Sequence, residues 1–368
     1  MYRAGALEKE REMIRPLLTL LGILAVSLVF ADPSAAQQSS GTAAKTASPA
    51  VPWKVGRTPW GDPDLQGAWT SDSARGIPRE RPEQFAGRAE LTDQEYADRV
   101  ARDEQIIKNA LNASGVQTGG RDGAWRGSQT FRQTSLLVDP PDGRMPPLTP
   151  EALKRSAPRD RGSFGEGPFD NPEDFTLYDR CITRGIVGGV LPVPYGNGNS
   201  IIQTPNAFVI SYEMIHDTRV VPLDGRPHLG RNLQQYLGDS RGHWEGETLV
   251  IETTNFTDKT SLGANGNGLR HSAAMRMVER FTRTAPDVVR YTITVDDPKT
   301  YTRPWTLSLP LVSPKGFQPL PYECHEGNGA IKYILSAERA EDQAIAEDLK
   351  KGIVRARKAP QNDISGRE

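Results

Sequence analysis

Met275-Arg276-Met277-Val278-Glu279-Arg280-Phe281-Thr282, then Ala285-Pro286-Asp287, then Val288-Val289-Arg290-Tyr291-Thr292-Ile293-Thr294-Val295 is the stretch whose reading decides the fold. Two runs of alternating residues flank a short turn segment, the pattern of a β-hairpin with one buried face. Val289, Tyr291, Ile293 and Val295 share one face, while Arg290, Thr292, Thr294 and Asp296 share the other. If the polar face points inward it lines a wet cavity; if outward it is solvated.

The same period extends in both directions. Downstream, Trp305, Leu307, Leu309 and Leu311 make a further strand, and 321–324 is read as a last one. Upstream, Phe208, Ile210, Tyr212 and Met214 alternate with Val209, Ser211 and Glu213, and 218–223 continues to the turn at Asp224-Gly225. Trp244-Glu245-Gly246-Glu247 separates 234–237 from 248–256 as another hairpin, and 135–138 is a short strand before Asp139-Pro140-Pro141-Asp142-Gly143. No crossover helix intervenes, so the expected class is mainly β, an up-and-down antiparallel meander. Roughly seven to nine strands left open would expose two sticky edges, so closure into a calycin-like barrel or a strongly curled sheet over 181–335 is expected. A flat two-layer sandwich is the alternative.

Around that core, 53–180 reads as an irregular and partly helical segment packed on it, with Trp53, Trp60 and Trp69 near its start. Residues 91–113 carry a capping box, Thr92 and Glu95, and an apolar stripe of Tyr96, Val100, Ile106, Ile107 and Leu111, which predicts a helix. Residues 336–368 read as a C-terminal helix and tail.

At the other end, an apolar run from Leu17 to Phe30 follows Met13 and Arg15 and precedes Ser34-Ala35-Ala36. This is the layout of a secretory signal over residues 1–36, with 37–52 a disordered leader rich in Ser, Thr, Ala and Gln. The run covers about 21 Å as a helix, too short for a hydrocarbon core of about 30 Å. A periplasmic or secreted protein is expected, with no stable membrane insertion after cleavage. A net charge of −1 argues against nucleic acid as a partner, since such binding needs a basic face. The two cysteines, Cys181 and Cys324, are expected to form a disulfide in that compartment. Closing so long a loop stabilises by about 5 kcal/mol in the chain-entropy model.

Five histidines supply the candidate chemistry, and all lie in the β-rich part: His216, His228, His243, His271 and His325. Most sit at expected strand ends with acids and arginines beside them. Gathered at one mouth, such groups offer acid, base and anion-holding functions together. His216 or His243 is the candidate base, Asp217 or Asp239 the group that orients it, and Arg219 or Arg241 the anchor for an anionic group. Tyr195, His228, Glu245, His325 and Glu326 are candidate substrate contacts. Gly238-Asp239-Ser240-Arg241-Gly242 matches a nucleophile elbow in spelling, but no strand-to-helix turn is expected there, so its glycines are assigned to a turn. No spacing fits a zinc or EF-hand signature, and no metal or cofactor is assigned. The Gly-rich runs 185–199 and 257–271 do not open a helix after a strand, so neither is a dinucleotide loop; they read as surface loops or a lid carrying Tyr195.

Several longer strings resemble a family of exported bacterial proteins of no assigned activity, over residues 58–338. They are Arg57-Thr58-Pro59-Trp60-Gly61-Asp62-Pro63-Asp64-Leu65-Gln66-Gly67, Tyr178-Asp179-Arg180-Cys181, Ile215-His216-Asp217-Thr218-Arg219, Leu223-Asp224-Gly225-Arg226-Pro227-His228, Gly238-Asp239-Ser240-Arg241-Gly242-His243-Trp244-Glu245-Gly246 and Tyr322-Glu323-Cys324-His325-Glu326-Gly327-Asn328. The resemblance implies membership and no reaction. Two functions stay open at this level. One is an acid–base enzyme, a lyase, isomerase or hydrolase acting on a small organic or sugar-like molecule. The other is a non-catalytic extracytoplasmic binder of a small-molecule ligand. The sequence does not fix the oligomeric state.

Overall fold

A computed structural model describes residues 53–112, 127, 129–156 and 169–356. The segments read as signal and leader, and the tail from residue 357, lie outside them. Ten strands form one sheet: β1 (Gly67–Thr70), β2 (Leu137–Asp139), β3 (Gly198–Thr204), β4 (Ala207–Tyr212), β5 (Thr218–Pro222), β6 (Asp239–Glu245), β7 (Thr248–Thr254), β8 (Arg276–Ala285), β9 (Val288–Asp296) and β10 (Trp305–Val312). Four α-helices accompany it: α1 (Asp93–Asn112), α2 (Pro150–Ser156), α3 (Gly185–Val190) and α4 (Ala330–Lys350). None of the described helices is long and apolar enough to cross a membrane.

The strand order is β5-β4-β3-β1-β10-β9-β8-β7-β6, and every pairing is antiparallel. This departs from the expected simple meander. Two meanders, β3 to β5 and β6 to β10, are joined through β1, which comes from the segment expected only to wrap the surface. β1 pairs along β3 and touches β10 at Val312, while β2 takes the other end of that β10 edge at Thr306 and Leu307. Four residues are too few for a period to show. What commits them is Trp69, almost fully buried, with Nε1 donating to Leu65 O at 2.9 Å.

The expected closed barrel is also corrected. β5 and β6, consecutive in the chain, stand at the two ends of the sheet and share no ladder. The sheet nevertheless curls until they meet through side chains. A Cβ added to Gly242 of β6 would lie 2.6 Å from Leu223 Cδ2 and 3.1 Å from Val221 Cγ1 at the end of β5. Glycine is therefore required by close approach along that seam.

The hairpin ahead of β8 is shifted relative to the expectation. The strand is not 234–237 but Asp239–Glu245, paired from Asp239↔Thr254 to Glu245↔Thr248. Its alternation is masked because the inward positions are Ser240, Gly242 and Trp244 rather than aliphatics. The elbow-like string lies at the start of this strand. Residues 321–324 form no strand; the Cys181–Cys324 disulfide, with Cα atoms 5.7 Å apart, fixes that segment instead.

The Gly-rich run from 185 is no lid at its start, because all six residues of α3 are buried. Its backbone lies against the second Gly-rich run, and a Cβ at Gly188 would fall 2.3 Å from Gly266 N. The capping box of α1 is present, with Thr92 N donating to Glu95 Oε2 at 2.8 Å and Glu95 N to Thr92 Oγ1 at 3.3 Å. α4 starts six residues earlier than the expected 336.

The apolar face of the hairpin points inward and its polar face outward, so the wet-cavity alternative is not realised on β9. The interior is filled by Trp69, Trp305, Phe208, Phe281 and Tyr291, with Phe281 and Tyr291 stacked at 4.2 Å. Burying aromatic side chains of this size supplies the largest apolar contribution to such a core.

Candidate functional site

The residues singled out by sequence fall into three separate groups. One lies inside the curled sheet. Arg219 of β5 and Glu279 of β8 form a bidentate ion pair whose side chains are 5% and 0% exposed. Tyr291 Oη donates to Glu279 Oε1 at 2.5 Å, Arg219 Nη2 lies 3.4 Å from Tyr212 Oη, and Arg219 Nη1 lies 3.4 Å from Ser240 Oγ. Ser240 Oγ is in turn 2.9 Å from Thr253 Oγ1. Burial alone would lower the Arg219 pKa, but Glu279 outweighs it and holds the guanidinium well above its ordinary value. Burial also pushes the Tyr212 hydroxyl up to about 12. Arg219 was expected to anchor a substrate anion; its counter-ion is Glu279, so that assignment is corrected. Glu279 was not singled out, although it shares a face with Met275, Met277 and Phe281. A carboxylate in phase with an apolar face needs a partner, and that signal was legible.

A second group lies on the outer face. Along β6, Asp239, Arg241, His243 and Glu245 share a face opposite to Ser240, Gly242 and Trp244, as alternation demands. Asp239 does orient an imidazole, but that of His228 rather than His216 or His243. Asp239 Oδ2 stands 3.0 Å from His228 Nδ1 and accepts the Leu229 N–H at 2.8 Å, while Arg241 Nη1 donates to Oδ1 at 2.6 Å. Burial raises the Asp239 pKa, and these three donors together bring it below its ordinary value. The loop carrying His228 is pinned from below: Asn255 Nδ2 donates to Leu229 O at 3.0 Å and Gly230 O at 3.1 Å, and Arg241 Nε donates to Pro227 O at 3.0 Å.

An ionised Asp239 next to Nδ1 fixes the tautomer that keeps the proton there, leaving Nε2 with a lone pair. Among the described residues Nε2 has no partner, and His228 is 29% exposed, enough to meet a solute. His243 lies four residues further along the strand, about 13 Å away at strand rise, and is exposed beside Glu245 at 3.3 Å. Glu245 also accepts from Arg280 Nη1 at 2.7 Å. Neither His243 nor Glu245 joins the His228 pair.

The third group flanks the disulfide. His216 is exposed, with Nε2 3.4 Å from Glu323 Oε2. Asp217 accepts from Thr183 Oγ1 and not from an imidazole, and burial raises its pKa. Tyr195 stacks on Tyr322 with ring centroids 6.1 Å apart. His325 and Glu326 are exposed next to Cys324. His271 is buried and structural: Nδ1 donates to Ser272 O at 3.0 Å, Nε2 accepts from Thr260 Oγ1, and burial lowers its pKa.

The single mouth expected to gather these residues is therefore absent among the described residues: Arg219 and His243 occupy opposite faces of the sheet. A cleft of about 390 Å³ beside α1, lined by Phe85, Leu91, Glu95, Arg99 and Arg102 among others, holds none of them. Protein-family models, curated proteins and solved structures contain no match to the chain. Function rests on geometry alone. Among the described residues no three His, Cys, Asp or Glu side chains converge as metal ligands. What the outer group of β6 offers is acid–base chemistry: an oriented imidazole with a free nitrogen, and a guanidinium beside it whose Nη2 is unpartnered among the described residues.

Proposed function

We propose that this is an exported acid–base enzyme working on a small organic or sugar-like molecule, with His228 as the proton-transfer group. The supporting observation is the contact between Asp239 Oδ2 and His228 Nδ1, made by a carboxylate that two further donors hold in place. In this reading Nε2 of His228 takes a proton from the substrate or from water, Asp239 stabilises the imidazolium that forms, and Arg241 holds an anionic substituent. His216 and His243, each paired with a carboxylate at 3.3 to 3.4 Å on the surface, are not needed. A proton-transfer group of this kind is worth about 10²- to 10⁴-fold in rate. The reading also takes residues 1–36 as a cleaved signal and places the mature chain in the periplasm or outside the cell. The disulfide and the lack of a membrane-crossing helix among the described residues are compatible with that address.

The test is turnover of a mixed small-molecule extract, followed by mass spectrometry, with wild type, His228→Gln and His243→Gln. At least one compound is expected to be consumed by wild type and by His243→Gln, with its rate at least about 100-fold lower in His228→Gln. Equal consumption by His228→Gln ends the proposal. A compound that is retained yet recovered unchanged from all three proteins points to the non-catalytic binder.

A further inference from the structure

Four arginines are buried among the described residues, Arg81, Arg99, Arg184 and Arg219, and Arg184 alone of these leaves two buried guanidinium nitrogens without a hydrogen-bond partner there. Arg219 has Glu279 as its counter-ion. Arg184, at the entry to α3 and three residues beyond Cys181, is 3% exposed. Its Nη1 donates to Gly196 O at 3.2 Å, and its Nε and Nη2 are buried with no hydrogen-bond partner among the described residues. The carboxylate acting on it, Glu213, is already committed: one oxygen accepts from Gly198 N at 2.8 Å and the other from Leu320 N at 2.9 Å. The other groups acting on it are the phenols Tyr178, Tyr195 and Tyr322. Tyr195 and Tyr322 stack on one another. Burial lowers the Arg184 pKa to about 10, with the phenols and Glu213 offsetting only part of it.

Burying a guanidinium without an anion is strongly unfavourable, and proteins that do so generally supply the anion from elsewhere. The two free donors are also informative in their placement. Nε and Nη2 lie along one edge of the guanidinium, and their parallel N–H bonds match the two oxygens of a carboxylate. Tyr322 and Tyr178 lie two and three residues from Cys324 and Cys181, so the disulfide brings both into the neighbourhood of Arg184. Tyr195 and Tyr322 are only half-buried, so the phenol side of the site meets solvent.

We propose that Arg184 is the anchor of a carboxylate-binding site: its Nε–Nη2 edge takes the carboxylate of a small organic acid, walled by Tyr178, Tyr195 and Tyr322. Screening by the phenols favours a small acid over the carboxylate of a protein partner, which has no room to follow its side chain in. The inference stands on these residues and does not depend on the acid–base reading of His228.

The experiment is isothermal titration calorimetry of the purified, disulfide-bonded protein with acetate, benzoate and succinate, and with inorganic phosphate at matched ionic strength. Wild type, Arg184→Met and Arg184→Lys are compared, and their thermal midpoints are recorded. At least one organic acid is expected to bind wild type with one-to-one stoichiometry. Arg184→Met is expected to bind it at least tenfold more weakly while its midpoint stays level or rises, because an uncompensated buried charge has been removed. Arg184→Lys keeps the charge but not the paired edge, and is expected to bind more weakly than wild type. The proposal is overturned if none of the three acids binds, if phosphate binds and the acids do not, or if Arg184→Met binds as wild type does. Should Arg184→Met fail to fold, affinity of Arg184→Lys equal to that of wild type overturns it instead.

Discussion

Ser240 and Asp239 are neighbours in the chain and belong to different worlds. Ser240 faces inward to Arg219, in a sealed network with Glu279, Tyr291, Tyr212 and Thr253. Asp239 faces outward to His228 and Arg241, and His228 is within reach of solvent. Both networks are built on a carboxylate and a guanidinium. The inner one is closed off from solvent, with Arg219 and Glu279 5% and 0% exposed, so its role is to hold β5 and β8 across the curl. The outer one leaves an imidazole nitrogen and part of a guanidinium without partners among the described residues, the groups on which the proposed acid–base reading rests. One step of strand alternation separates the two roles.

That contrast can be broken by measurement, and the largest effect is expected inside. Glu279→Gln leaves Arg219 buried without its counter-ion and is expected to cost about 3–5 kcal/mol in urea unfolding. A cost below about 1 kcal/mol would show that the interior pair is not what holds the curl. Reducing Cys181–Cys324 is expected to cost about 2–4 kcal/mol by the same assay, since the loop it closes is long. On the outer face, Asp239→Asn weakens hydrogen bonds to a charged group and is expected to cost about 1.5–3 kcal/mol. A loss at Asp239 as large as that at Glu279 would erase the distinction between the two networks.

The pH dependence sharpens the same comparison. His271 is buried and neutral, with its pKa below the ordinary 6.5, so the unfolded chain binds the extra proton more readily than the folded one. Its contribution to stability is complete above pH 6.5 and falls as the pH drops through that value. Asp239 has a depressed pKa, so its contribution is present above 3.8 and is lost only as the pH falls below that toward its folded value. Thermal midpoints at about pH 7.5, 5.5 and 3.5 should therefore fall in two steps, and His271→Asn should remove the first. A midpoint flat from about pH 7.5 to 5.5 would contradict the burial of a neutral His271. The smallest effect belongs to His243→Ala, expected to change stability by less than about 0.5 kcal/mol because its contact with Glu245 is exposed on both sides.

The legible and illegible parts divide along physical lines. β4, β9 and β10 could be read because each repeats an apolar residue at every second position over five or more residues, and β5 and β8 keep the same alternation with Arg219 and Glu279 standing on the inward face. β1 and β6 could not: the first is too short, and the inward positions of the second hold a serine, a glycine and an indole. Asp239 and Arg241 were picked out from their strings, and the structure brings them into contact with each other. Their partner was missed because His228 reaches Asp239 across a loop held by the side chains of Asn255, Asp239 and Arg241. Arg219 was misread as a substrate anchor, though its phase with Val221 placed it inward. Tyr178, Arg184 and Tyr322 gave no periodic signal, because they sit in irregular segments whose meeting is imposed by a disulfide between distant positions.

What the residue order determined by itself was local: the strand periods and the capping box of α1. Those properties follow from side-chain direction and short-range hydrogen bonding, which need no knowledge of distant partners. Tertiary structure alone decided that a strand from the first part of the chain bridges two meanders, that β5 and β6 meet without a ladder, and which acid each imidazole and guanidinium finds. Such choices depend on contacts between residues far apart in the chain, and alternation specifies a face of the sheet without naming what will stand opposite it.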